Sequence, residues 1–183
     1  MRHNVNRIYL RALEPDDYKS IFKWRHDPIY QSGVASMKRY VSMDTERKWI
    51  DEVISKHEKG DEIRLGIVQK EANELIGLIY LTNINYINKN AMISFMIGEN
   101  DLRGRGFVNE AQIEILKYAF YELGLERIYA HILESNTSSI KSVEKFGYAQ
   151  EGILRNAVYK EGKFQNVVIY SILKQEFINK YFI

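Results

Sequence analysis

The sequence has no cysteine, and that excludes disulfides, thiolate metal sites and a cysteine nucleophile. It also fits a reducing compartment, so a cytoplasmic protein is expected. A charge excess is missing too: 26 basic residues against 24 acidic ones leave a formal net charge of +2. Proteins that grip nucleic acid by its phosphates normally show a clear basic surplus, so no nucleic-acid partner is expected. No apolar run approaches the ~18 residues of a membrane helix. The opening Met1-Arg2-His3-Asn4 is polar, so neither a membrane span nor a signal peptide is expected. His3, His26, His57 and His131 show no ligand spacing with carboxylates, so no metal site is expected. Repeats, low-complexity tracts and linkers are absent as well. The 183 residues, 45% of them hydrophobic, read as one globular domain over 1–183 with enough chain to bury a core.

What is present is a succession of strand and helix patterns. Ile8 and Leu10 flank Tyr9 in a short alternating run, a first strand. Glu14-Pro15-Asp16-Asp17 reads as a helix start, with proline and acids in the first turn, and Pro28 stops that helix. Trp24 within it is either core packing or the wall of an acceptor pocket. Residues 29–41 have no period and read as a loop. Ser42 is a good cap for a second helix, whose apolar stripe includes Trp49, Ile50, Val53 and Ile54 and which Gly60 ends. Residues 63–67, 75–84 and 91–97 read as three sequential antiparallel strands, the middle one covered on both faces. Residues 107–123 form a buried helix, 127–133 a strand, and 136–146 a short helix capped by Asn136 and closed by Gly147. The crossover from 91–97 to 127–133 can set those two strands side by side in parallel. Residues 148–158 and 165–173 make a final hairpin over Glu161-Gly162. The apolar end Tyr181-Phe182-Ile183 needs cover from its own fold or from a partner, which leaves monomer and homodimer both open.

Between the strand at 91–97 and the long helix lies Asn100-Asp101-Leu102-Arg103-Gly104-Arg105-Gly106-Phe107-Val108. Such a glycine-rich joint aims several backbone N–H groups in one direction at the positive end of a helix dipole, which makes a site for phosphate. Glycine lets the backbone approach a ligand closely, and Arg103 and Arg105 add permanent charge. On its own the stretch also fits a plain turn.

With the rest of the chain, these residues resemble the GNAT superfamily of acetyl-CoA-dependent N-acetyltransferases. Arg103-x-x-Gly106-x-Val108 is similar to the Q/R-x-x-G-x-G/A pyrophosphate loop. Asn136-x-x-Ser139 and Glu144-Lys145-Phe146-Gly147-Tyr148 resemble the N-x-x-S/A and E-K-x-G-F signature that follows the fifth strand. The tail, with Glu151-Gly152-Ile153-Leu154-Arg155, Gly162-Lys163 and Val168-Ile169-Tyr170-Ser171, is similar to one branch. That branch holds ribosomal-protein N-terminal, spermidine and nucleotide-amino-sugar acetyltransferases. The resemblance implies an α/β (α+β) GNAT fold: a mixed sheet of about seven strands, splayed between the fourth and fifth, with about four helices.

It also implies roles. Backbone groups of Met96 and Ile97 would pair with the pantetheine arm of acetyl-CoA, the cosubstrate. Backbone N–H groups from Arg103 through Gly104, Arg105, Gly106 and Phe107 to Val108 would hold its pyrophosphate. Asn136 would bond the pantetheine, and Ser139 would sit beside the thioester as the candidate catalytic hydroxyl. Lys145 would lie near the adenosine phosphate, or be an ordinary exposed helical lysine. Trp24, Arg25 and His26 are the candidate acceptor-binding residues. Two family positions depart: Val143 stands where many members carry a tyrosine acid, and Met92 where a glutamate is common. Without a carboxylate base the easiest acceptor is an amine already partly neutral at pH 7. That favours a protein N-terminus or an amino sugar over a polyamine, while a non-catalytic coenzyme-A-binding module is the alternative from another class.

Overall fold

Seven strands form one sheet in the order β1-β2-β3-β4-β5-β7-β6 in the computed structural model, which describes residues 7–36 and 38–183. His3, with the rest of the polar start, and Met37 in the segment after Pro28 lie outside those residues. The strands are β1 (Ile8–Ala12), β2 (Ile63–Gln69), β3 (Glu74–Asn85), β4 (Asn90–Ile97), β5 (Arg127–Leu133), β6 (Ala149–Lys160) and β7 (Lys163–Leu173). All neighbours pair antiparallel except β4 and β5, which are parallel, as the crossover requires. The crossover carries α4 (Phe107–Lys117), whose last turn loosens into a π-helix over Tyr118–Glu122. The closing hairpin turns at Glu161 and Gly162, both with positive φ (52° and 78°), the geometry that matches the twist of paired strands.

The remaining helices are α1 (Tyr18–Arg25), α2 (Pro28–Gly33), α3 (Met43–Glu58), α5 (Thr137–Phe146) and α6 (Lys174–Tyr181). Six helices of this size, against about four expected, reflect two local effects. Pro28 ends α1 but also opens α2, because its fixed φ suits a first helical position and the Asp27 side chain accepts the Ile29 N–H at 2.8 Å. Residues 28–33 are therefore helical, not loop. The second addition, α6, was masked by its polar sequence. Its one fully buried residue, Phe177, packs among Phe120, Phe146 and Tyr181 and thereby covers part of the apolar end, while Phe182 and Ile183 stay exposed.

Two apolar clusters hold the sheet from opposite sides. The larger joins α4, α5 and α6 to one face through residues such as Ile79, Ile93, Ile115, Ile128, Phe146 and Phe177. The smaller joins α1 and α3 to the other through Ile21, Trp24, Ile50, Val53 and Leu78. Strand β3 feeds both, which explains its nearly unbroken apolar sequence.

Candidate active site

Strands β4 and β5 stay together for only three register pairs: Asn90 with Arg127, Ala91 with Ile128 and Met92 with Tyr129. Beyond Met92 they separate, while β4 runs on to Ile97 and β5 to Leu133. Each remains paired on its outer side, β4 to β3 and β5 to β7. The inner edges of 93–97 and 130–133 therefore offer main-chain groups that no strand bridges, and such groups need partners from elsewhere. An extended chain carrying amides fits that slot as an added strand.

At the end of β4 the chain makes the glycine turn. Gly104 and Gly106 sit at φ 74° and 87°, the left-handed region that disfavours side chains. Gly106 is the N-cap of α4, and its carbonyl accepts the N–H groups of Asn109 and Glu110. Those of Phe107 and Val108 remain at the open, positive end of the helix. The Arg103 N–H, by contrast, is already taken by the Asn100 carbonyl at 3.3 Å, so it is not among the open N–H groups of the turn.

The Arg103 side chain is a brace rather than a free charge. Its Nε donates to the Ile97 carbonyl at 2.9 Å, and its Nη2 reaches Asp27 Oδ2 at 3.1 Å and the Gly98 carbonyl at 3.3 Å. Burial works to raise the Asp27 carboxyl, but the Ile29 N–H, Asn100 and Arg103 outweigh it and hold it below the usual carboxylate range. A second brace carries no sequence motif. Arg7 donates through Nε to Glu110 at 2.7 Å and through Nη2 to the Arg105 carbonyl at 2.9 Å, with its guanidinium 4.4 Å from the Phe107 ring. Arg105 is the exposed cation of the turn.

The expected acceptor residues divide. Trp24 is 2% exposed, its Nε1 donates to Glu99 at 2.8 Å, and it packs so tightly on Gly98 that a Cβ there would meet the indole at 2.0 Å. It is core, not an open pocket wall. Arg25 reaches Glu46 with one directed hydrogen bond, Nη2 to Oε1 at 2.8 Å; its Nε lies 2.7 Å from Oε2 at an angle that makes no second bond. The pair locks α1 to α3, with the Arg25 guanidinium 4.8 Å from the Trp49 ring. His26 is exposed and bonds the Phe22 carbonyl through Nδ1 at 2.8 Å.

Helix α2 is gripped from two sides. The Asn136 amide donates to the Gly33 carbonyl at 2.9 Å, while its oxygen caps α5 by accepting the Ser139 N–H at 3.2 Å. The oxygen also accepts the Ser138 hydroxyl at 2.9 Å, which leaves the second N–H of the amide as the side chain's spare donor. Lys160, 6% exposed at the tip of β6, donates to the carbonyls of Gln31, Ser32 and Val34. Burial holds its ammonium below the ordinary lysine range, with Glu161 opposing. Sequence reading missed Lys160, since nothing local marks a lysine whose partners lie more than a hundred residues away.

Ser139 stands half-buried in the first turn of α5, and among the described residues its hydroxyl has no partner. Val143 is fully buried on the same helix, and Lys145 extends into solvent. Across the sheet, register aligns Arg64 with Tyr80 and Tyr80 with Ser94. Burial raises the Tyr80 hydroxyl's pKa, so it is a neutral donor near that row. An unbridged strand edge, a turn of open amides and a helix start carrying a free hydroxyl suit a long polar cosubstrate with a diphosphate at one end and amides along its arm.

The fold and slot define an acyltransferase of the GNAT type, and the family comparison agrees: the GNAT acetyltransferase-domain model matches residues 7–149. The chain belongs to that family and is an N-acetyltransferase with acetyl-CoA as donor. A coenzyme-A-binding module without activity is set aside on that membership. The chain is 29% identical over 173 residues to p20 of Bacillus licheniformis, an uncharacterized N-acetyltransferase, covering 94% of this chain and 96% of that protein. It is 29% identical over 175 residues to the spermidine N(1)-acetyltransferase of Vibrio cholerae, covering 96% and 98%. It is 33% identical over 180 residues to YdaF of Bacillus subtilis, named provisionally a ribosomal N-acetyltransferase, covering 92% of each. A crystal structure of spermidine N-acetyltransferase from Vibrio cholerae with CoA and spermine matches with a TM-score of 0.83 at 28% identity, over 96% of this chain and all of that one. Among the described residues, no helix is long and apolar enough to cross a membrane.

Proposed function

We propose that the acceptor is a primary amine of low basicity, a protein N-terminal α-amine or an amino sugar, attacked directly at the mouth of the β4–β5 slot by a chain acting as one domain in the cytoplasm. One observation carries the acceptor reading: four buried or half-buried carboxylates around α1, α2 and the end of β4 are each matched by a cation, while Asp101 stays exposed on the turn. Glu46 is held by Arg25, Asp27 by Arg103, Glu99 by Lys23 and Glu62 by Arg64. Residues 1–6 and 37 add no carboxylate. A polyamine, with several ammonium groups, would find no spare acid among those four, and only the solvent-exposed Asp101 beside them.

The energetics agree. Attack needs a neutral nitrogen, and neutralising a lysine-like amine of pKa ~10.4 at pH 7 costs about 4–5 kcal/mol, whereas an α-amine near 7.7–8.0 costs about 1. The donor supplies an activated acetyl thioester. Around it, the N–H groups of 104–108 hold negative charge, main-chain groups of Met96 and Ile97 align the arm, and the Ser139 hydroxyl passes a proton to the departing sulfur. A thiolate leaves readily, so Ser139→Ala should lower kcat only on the order of 10-fold, below the usual range for acid–base groups, with acetyl-CoA affinity unchanged.

A polyamine acceptor is the second reading, supported by the likeness to the Vibrio cholerae enzyme. A thiol-release assay with an N-terminal peptide, an amino sugar and spermidine separates the two. The peptide or the sugar should give the highest kcat/KM; a clear preference for spermidine would end the low-basicity reading.

A further inference from the structure

We propose that His131 is the general base of the acetyl transfer. The last register pair before the slot opens is Met92 with Tyr129. Two residues further along each parallel strand come Ser94 and His131, which return to the same face of the sheet because strand side chains alternate. They flank the mouth of the slot where the strands first part.

Direction is fixed independently on β5. The rings of Tyr129 and His131 lie 5.5 Å apart, while the alternate residues Ile128, Ala130 and Ile132 are buried in the core on the other face. His131 is exposed. Among the described residues no hydrogen bond engages its imidazole, whereas His26 bonds the Phe22 carbonyl and His57 accepts the Arg64 N–H at 3.3 Å. The mouth offers little else: Met92 and Ser94 do not titrate near neutrality. Histidine is the side chain most often used as a general base.

The step balances without a further reagent. The amine lone pair forms a bond to the acetyl carbon as the carbon–sulfur bond breaks with its electron pair on sulfur. The proton lost by the amine nitrogen goes to His131, and the sulfur is protonated through Ser139. His131 then returns its proton to solvent, leaving an amide and a free thiol. The neighbours of the imidazole are the Tyr129 phenol on its own strand, Ser94 across the slot and Ile169, its register partner on β7. The nearest charges along the chain are Arg127, paired with Glu151 and 5.1 Å from the Tyr129 ring, and Glu134, bonded by Asn166.

This assignment goes beyond the acceptor reading, because a base at the mouth serves whichever amine enters, and it is tested with the best amine of the panel. His131→Gln should lower kcat by about 100-fold or more with KM for acetyl-CoA within about twofold. The ratio of wild-type to variant kcat/KM cancels the acceptor's own ionisation. It should level off on the basic side and fall on the acid side, as the protonation of a required base demands. Without turnover, the His131 ring resonance, assigned by its loss in His131→Gln, should shift when free CoA is added to the wild type. Imidazole added to His131→Ala should restore part of the rate, which guards against a merely misfolded variant. A variant kcat within threefold of wild type, a flat ratio, or a resonance that CoA leaves in place would overturn the assignment. A preference for spermidine in the panel would overturn the acceptor reading alone.

Discussion

Gly106→Asp should raise the Kd for acetyl-CoA by about 100-fold or more, read by calorimetry. Two effects add. A non-glycine residue at φ 87° costs roughly 1–2 kcal/mol of backbone strain. The new carboxylate then stands at the open end of α4, where a diphosphate would lie, and juxtaposed like charges cost several kcal/mol. Each ~1.4 kcal/mol is a factor of ten in affinity. Gly106→Ala carries only the strain and should cost about tenfold or less. The space around the position is permissive: the nearest atom to a Cβ is Arg7 Nη2, at 3.5 Å. The variant should therefore stay folded, and an unchanged affinity in folded Gly106→Asp would remove the turn from the binding site.

The largest effect on stability is expected at Arg25, not at the turn. Arg25→Ala strands Glu46, whose side chain is 1% exposed, without its cation. Removing one partner of a buried pair typically costs about 3–5 kcal/mol, because the other charge stays buried. At this chain length 1 kcal/mol moves the melting temperature by roughly 2–4 °C, so a drop of about 10 °C is expected. Arg25→Met with Glu46→Leu should recover most of it, since neither charge then remains. If the single variant melts within about 2 °C of wild type, water reaches Glu46 and the pair is not the lock between α1 and α3.

These two residues mark what was legible in the chain. Gly106 was readable because its role is local: a left-handed position opening a helix leaves a glycine in the sequence. The same holds for Ser42 and Asn136 as caps, for Gly147 closing α5, and for the strands from 63 to 97, read from alternation at 63–67 and from nearly continuous apolar runs after it. Arg25 was read as an acceptor group because a cation near a loop looks alike whether it faces ligand or a buried acid on another helix, 21 positions on in the sequence. Arg103 was misread in the same way. It stands at the loop's arginine position, yet its side chain spends itself on Ile97, Gly98 and Asp27.

The unread parts are long-range or context-dependent. Arg7 and Glu110 are 103 positions apart, as are Gly33 and Asn136, and neither contact leaves a periodic trace. Helix α6 has too few apolar residues to show an amphipathic stripe, and only the pocket around Phe120 and Phe146 makes Phe177 a core residue. His131 carried no signal within its own strand. Its position matters because β4 and β5 part after Met92 and Tyr129, a property of the pair.

The most direct measurement of the central claim is a crystal structure of the protein with CoA. The account predicts the diphosphate against the main-chain N–H groups of residues 104–108 and the pantetheine arm lying between 93–97 and 130–133. CoA bound at another surface, or β4 and β5 zipped together beyond Met92 with the arm excluded, would contradict it.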